Sequence, residues 1–215
     1  MKKQILPLAF VCATSSLADA DVITTLFASD NGGGEGGAVY FDLQVAGNNL
    51  TITEMTSNFA ENVGTSFSDF QVYTRVLGPG EGSGDFAGSP TGWNLVSTGS
   101  GVVEPEDTPT PITLGSPIPL SSGTDYGIAL VSPSVAGHEY TDGDGTNQLY
   151  SDSNLSLELG SATNTAFVTP TLFSPRVWNG SITYSVTPIP EPTNALTLSF
   201  LLLGGVMFRG RRRSA

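Results

Sequence analysis

Hydrophobic and polar residues alternate along much of this chain. Val39, Phe41, Leu43 and Val45 are interleaved with Tyr40, Asp42 and Gln44, the two-residue period of a strand with one face on a core and the other toward water. Phe70, Val72, Thr74 and Val76 repeat it, with Gln71, Tyr73 and Arg75 on the opposite face. Leu50-Thr51-Ile52-Thr53 follows Gly47-Asn48-Asn49, a turn-rich gap that predicts an antiparallel hairpin between residues 39–45 and 50–53. Residues 93–97, 112–114, 126–131, 148–150, 155–159 and 181–186 add further short strands. Gly, Pro, Ser and Asp separate them, and helical periodicity is nearly absent before Pro190. The predicted class is all-β, an antiparallel β-sandwich or jelly roll with little or no helix in the domain.

Three stretches interrupt the alternation. Residues 31–37, Asn-Gly-Gly-Gly-Glu-Gly-Gly, offer nothing to bury and predict a flexible surface loop. Residues 78–84 form a second glycine-rich loop, and residues 104–111, with Pro105, Pro109 and Pro111 beside Glu106 and Asp107, read as an acidic extended connector. No repeat of 20 to 50 residues is visible, which disfavours solenoids and propellers.

The two ends read as addresses rather than as fold. Lys2 and Lys3 precede an apolar stretch at residues 5–13, and Ala18-Asp19-Ala20 supplies a small-x-small site. Residues 1–20 are therefore expected to be a secretory signal that signal peptidase cuts after Ala20. Cys12 is the only cysteine, and Val11 stands where a lipobox needs a small residue. Cleavage would leave a cysteine-free chain held by packing alone. At the other end, Pro190-Glu191-Pro192 precedes an uncharged run at residues 195–208 and then Arg209, Arg211, Arg212 and Arg213. The prolines keep the backbone extended, the apolar run seeks a bilayer, and the arginine cluster stays cytoplasmic. As a helix the run spans about 21 Å at ~1.5 Å per residue, short of a ~30 Å hydrocarbon core. That length suits a processed signal better than a permanent anchor.

This tail, residues 188–215, closely resembles the PEP-CTERM sorting signal of exported bacterial proteins. The resemblance implies recognition by an exosortase-like membrane protease, which removes the signal in transferring the protein toward the cell surface. It makes Pro190, Glu191 and Pro192 the sorting motif and Arg209, Arg211, Arg212 and Arg213 the cytoplasmic positive cluster. Within residues 21–187, the ordered pieces 71–75 (Gln-Val-Tyr-Thr-Arg), 92–96 (Gly-Trp-Asn-Leu-Val), 150–155 (Tyr-Ser-Asp-Ser-Asn-Leu) and 175–184 (Pro-Arg-Val-Trp-Asn-Gly-Ser-Ile-Thr-Tyr) look like a β-sandwich module recurring in bacterial surface proteins. That likeness implies an extracellular module and transfers no catalytic residue.

Charge narrows the choice of partners. Of the 20 acidic residues only Asp19 and Glu191 lie outside residues 21–187, whereas of the 8 basic ones only Arg75 and Arg176 lie inside. The domain is strongly anionic, the wrong sign for nucleic acid, and suited to solubility, metal cations or neutral polymers.

Candidate chemistry is sparse. Asp142, Asp144, Thr146 and Asn147 gather hard oxygen donors around Gly143 and Gly145, which suits calcium, and Glu139 and Asp152 could complete such a site. The spacing is not that of an EF-hand, since Asn147 and Ser153 stand where its glycine and glutamate belong. The alternative is an Asx-Gly turn between strands. His138 is the only histidine; as a lone loop histidine it is expected at the surface. No G-x-S-x-G elbow, histidine cluster or phosphate loop accompanies it. Glu106 and Asp107 are paired acids of the kind glycosidases use, but in a proline-rich connector they read as solvated. Trp93, Trp178, Tyr73, Tyr140 and Tyr150 could stack on sugar rings if they shared an exposed face; otherwise the tryptophans fill the core. The reading is an exported, non-enzymatic protein with a structural or adhesive role at the cell surface or in the matrix. The alternative is a carbohydrate-binding module engaging exopolysaccharide.

Overall fold

The computed structural model describes residues 20–168 and 172–187. Residues 1–19 of the expected signal, Pro190 to Pro192 and the arginine cluster lie outside them. Fourteen strands follow one another: β1 (Ala20–Thr24), β2 (Asn31–Glu35), β3 (Ala38–Val45), β4 (Asn49–Ser57), β5 (Ser66–Val76), β6 (Asn94–Val102), β7 (Thr110–Leu114), β8 (Ile118–Leu120), β9 (Asp125–Val131), β10 (Gly137–Asp142), β11 (Leu149–Ser151), β12 (Leu155–Thr163), β13 (Arg176–Trp178) and β14 (Gly180–Thr187). A single 3-10 turn at Ser83–Phe86 is the only helical element among the described residues. The described residues are all-β, as the alternation predicts.

Eleven strands form one antiparallel sheet in the order β1-β14-β4-β7-β6-β5-β9-β3-β12-β11, with β8 also on β4. The sheet curls into a near-barrel. Its corner is the short joint between β6 and β7, where only Gly99 with Leu114 and Ser100 with Thr113 are paired. A Cβ on Gly99 would overlap Ile112 and crowd Phe70, so the absence of a side chain lets the layers close there. The opposite seam is bridged by side chains: the Tyr184 hydroxyl donates to Asp152 at 2.6 Å and Asn154 Nδ2 donates to Asp21 at 3.2 Å.

Val39, Phe41, Leu43 and Val45 of β3 all point into the main core, alongside Leu50, Ile52, Phe70, Ile128, Leu157 and Ile182. Phe41 stacks on Trp178 with centroids 5.2 Å apart and planes 8° from parallel. The outer face of β3 is less exposed than its polar residues predict. Tyr40 packs with Trp93, Ala129 and Val131 in a second apolar cluster, and its hydroxyl accepts the Phe167 amide at 3.0 Å.

Two expectations are corrected. β3 and β4 form no hairpin, because β3 pairs with β9 and β12 while β4 pairs with β14, β7 and β8. Gly47-Asn48-Asn49 instead carries the chain from one half of the sheet to the other. Nor is the 31–37 segment a free loop. Its first five residues are β2, one edge of a small sheet ordered β13-β10-β2. Its glycines serve close packing: a Cβ on Gly137 of β10 would overlap the Gly33 carbonyl, and one on Gly34 would come 3.0 Å from the Asn164 carbonyl oxygen. A backbone wedged this tightly needs residues without side chains.

Candidate functional site

His138 is not a surface residue. It sits on β10 in period with Ala136 and Tyr140, and its side chain is buried against Phe59 and Phe70. Nε2 lies 3.1 Å from the Leu130 carbonyl oxygen. A carbonyl only accepts, so Nε2 carries the proton and Nδ1 presents its lone pair. The Ser57 hydroxyl, 3.2 Å away, donates to it. Ser57 Oγ in turn accepts the Trp178 indole N–H at 3.0 Å. One directed chain thus links β13, β4, β10 and β9, pinning the small sheet to the large one. Burial drives the imidazole down to about 4, outweighing the bond to Leu130, so the ring is neutral near pH 7. The pair contains a hydroxyl and an imidazole, but the far ring nitrogen meets a carbonyl where a hydrolytic triad places a carboxylate.

The acidic connector between β6 and β7 is tied down. Asp107 Oδ1 accepts from the Ser29 amide at 2.8 Å, the Ser29 hydroxyl at 2.9 Å and Asn58 Nδ2 at 3.0 Å. The Asp107 amide donates back to Asn58 Oδ1 at 2.9 Å. The Ser29 amide is the largest cause holding the Asp107 carboxyl below its usual range. Glu106 and Asp107 are exposed, as the solvated reading expects, and they also hold the connector, with Glu106 accepting from the Ser29 hydroxyl at 2.8 Å. Glu139 stands nearby. Its carboxyl is pushed up to about 7, first by burial and then by the charges of Glu106, Asp107 and Glu61.

The 142–147 loop is an Asx turn. Asp144 Oδ1 accepts from the Thr146 amide at 2.7 Å, the Thr146 hydroxyl at 2.8 Å and the Asn147 amide at 3.1 Å. Asn147 Oδ1 accepts the Asp144 amide and its Nδ2 donates to the Asp142 carbonyl. Asp142 points elsewhere, forming with Arg176, at 3.1 Å, the one ion pair among the described residues, while Asn31 donates to the same oxygen. Glu139 and Asp152 do not join them: Glu139 lies against Gly32 and Asp152 accepts from Tyr184. Among the described residues no group of three or more His, Cys, Asp or Glu is placed to hold a metal ion.

The candidate sugar-stacking aromatics do not share an exposed face. Trp178 and Tyr140 belong to the main core and Trp93 to the second cluster. The tryptophan N–H groups explain part of this placement, since each finds a partner, buried Ser57 for Trp178 and the half-buried Phe86 carbonyl, at 3.1 Å, for Trp93. Tyr73 and Tyr150 are half-buried, packed against the second cluster and the main core respectively. Several grooves mark the described surface, among them two of about 410 and 390 Å³; one of about 260 Å³ is lined by Asp42, Gln44, Glu81, Asp125 and Glu158 with Leu77 and Leu149. It is acidic and without an aromatic wall.

No protein-family model matches the chain, and no curated protein sequence matches it.

Proposed function

We propose that this chain is an exported, non-enzymatic surface or matrix protein, cut by signal peptidase after Ala20 and sorted through its Pro190-Glu191-Pro192 tail by an exosortase-like membrane protease. One observation carries most weight. Residues 21–187 fold as one all-β unit in which Asp21 pairs with Tyr184 and Val22 with Thr183, so the two chain ends on which the secretory signal and the sorting tail are read leave the fold side by side. The stretch between is all-β with a cysteine-free core, which supports the reading of an extracellular module that needs no disulfides. Burial of Ser57 and His138 and the Asx turn at Asp144 favour a structural or adhesive role over catalysis. Intact-mass analysis of protein recovered from the cell surface tests the export half. The expected N-terminus is Asp21; an intact Met1 or a lipid on Cys12 contradicts it.

The second reading, a module binding exopolysaccharide, has the acidic groove at Asp42, Gln44 and Glu158 in its favour and the burial of Trp93, Trp178 and Tyr140 against it. Co-sedimentation with host exopolysaccharide that is lost in an Asp42→Ala, Glu158→Ala variant would favour that module. Co-sedimentation unaffected by the variant, or none, would leave the structural role.

A further inference from the structure

Both ends of the domain leave from one pole. Ala20 of β1 pairs with Ser185 of β14, two residues from Thr187, where the described domain ends. Thr187 pairs with Asn49, and hydrogen bonds tie this pole together: Ser122 N to Asn49 Oδ1, Gly123 N to the Val45 carbonyl, Ala46 N to the Asn154 carbonyl, and Asn154 Nδ2 to Asp21. Its 47–49 and 121–124 loops are polar and uncharged.

The other pole carries the acidic connector. β4 runs from Asn49 to Ser57, about 26 Å at ~3.3 Å per residue, and at its far end Asn58 binds Asp107 and the Glu139 amide. Glu61, Glu106, Asp107 and Glu139 crowd there closely enough to raise the Glu139 carboxyl.

Chain length fixes how far the first pole can stray from a bilayer. Residues 188–194 separate Thr187 from the apolar run and include Pro188, Pro190 and Pro192; at ~3.1 Å per residue for a proline-rich linker they reach about 22 Å. Residues 14–20 separate the N-terminal apolar stretch from Asp21, a reach of at most about 25 Å.

From this register we infer that, while tethered, the domain stands upright on the bilayer, with the 47–49 and 121–124 loops facing the lipid headgroups and the Glu61, Glu106, Asp107 and Glu139 pole directed away. The inference rests on the reading of the tail as membrane-inserted. The arrangement also leaves the strand ends next to both cleavable segments, so that either can be removed without opening the sheet beyond β1 and β14.

The test uses the full chain with Cys12→Ser, which leaves no cysteine, and then Ser121→Cys or Thr108→Cys as the single labelling site. Each is labelled with a donor dye and reconstituted into phosphatidylcholine vesicles carrying acceptor-labelled phosphatidylethanolamine. Energy transfer is expected to be severalfold more efficient from position 121 than from position 108, and to vanish from both when the chain is cut to residues 21–187, which lacks both apolar segments. Binding with equal or reversed transfer overturns the upright orientation alone. Failure of the full chain to bind the vesicles overturns the membrane reading of the tail, and the orientation with it.

Discussion

The Ser57 hydroxyl donates to Nδ1 of a fully buried His138 across 3.2 Å, and the opposite ring nitrogen donates to the Leu130 carbonyl. Because both ring nitrogens are committed as a neutral tautomer, protonation would place a charge in the core and turn Nδ1 from acceptor to donor against Ser57. The folded-state value of about 4 lies below the 6.5 of a free imidazole. Between these values the unfolded chain binds more protons than the folded one, so stability is full above about pH 6.5 and falls as pH drops toward 4. The loss amounts to about 3 kcal/mol. Denaturant titrations of wild type and His138→Leu at pH 7 and pH 4 should show it as the difference between the two proteins, since Glu139 titrates over the same window with the opposite sign. His138→Leu should flatten the contribution while costing about 1–3 kcal/mol at pH 7 through the unpaired Ser57 hydroxyl.

The neighbouring Glu139 has the opposite sign. Its folded value, about 7, lies above 4.5, so here the folded state binds more protons and stability is lost as pH rises from about 4.5 to 7. Glu139→Gln should therefore stabilise the protein at pH 8 and leave it unchanged at pH 4. Partial exposure and screening reduce the gain to order 1 kcal/mol. A thermal melt of the variant that is no higher than wild type at pH 8 would show that the carboxylate is relieved in another way.

Much of the sheet was legible because its longest strands bury one face: the alternation at residues 39–45 and 70–76 lies within β3 and β5. Partner choice was not legible. The Gly47-Asn48-Asn49 signal is local, whereas β3 found β9 and β12 through contacts more than eighty residues away. β2 was hidden because its glycines are selected by backbone proximity to β10 and Asn164, which no period reports. The site suffered in the same way. Ala136, His138 and Tyr140 do alternate, and that pattern could have placed the histidine inside, but Ser57 and Trp178 lie 81 and 121 residues apart from their partners in the chain.

Close packing at β2 makes Gly137 unforgiving. Gly137→Ala should destabilise the fold by about 1–3 kcal/mol or more, with loss of amide protection concentrated in β2. Gly47→Ala, where a Cβ meets nothing within 4 Å, should be neutral or slightly stabilising. Hydrogen exchange on the two variants checks both outcomes.

The Asp144 turn is satisfied by its own amides and hydroxyl, and Asp142 by Arg176. Millimolar calcium is accordingly expected to leave the melting temperature unchanged relative to chelator, since a ligand that does not favour the folded state cannot stabilise it. A calcium-dependent rise that disappears in an Asp142→Ala, Asp144→Ala variant would show that the loop reorganises into an ion site.

Sorting is the central claim, and it turns on recognition of Pro190-Glu191-Pro192 as distinct from mere insertion of residues 195–208. The decisive measurement is the mass of the C-terminus of surface-released protein, compared between wild type and a Glu191→Ala, Pro192→Ala variant in a host carrying the sorting enzyme. Released wild type should lack Arg209, Arg211, Arg212 and Arg213, while the variant should be exported yet held in the membrane, because its apolar run and arginines still stop transfer. Identical processing of the two, or released wild type that keeps Arg211 to Arg213, would contradict the account.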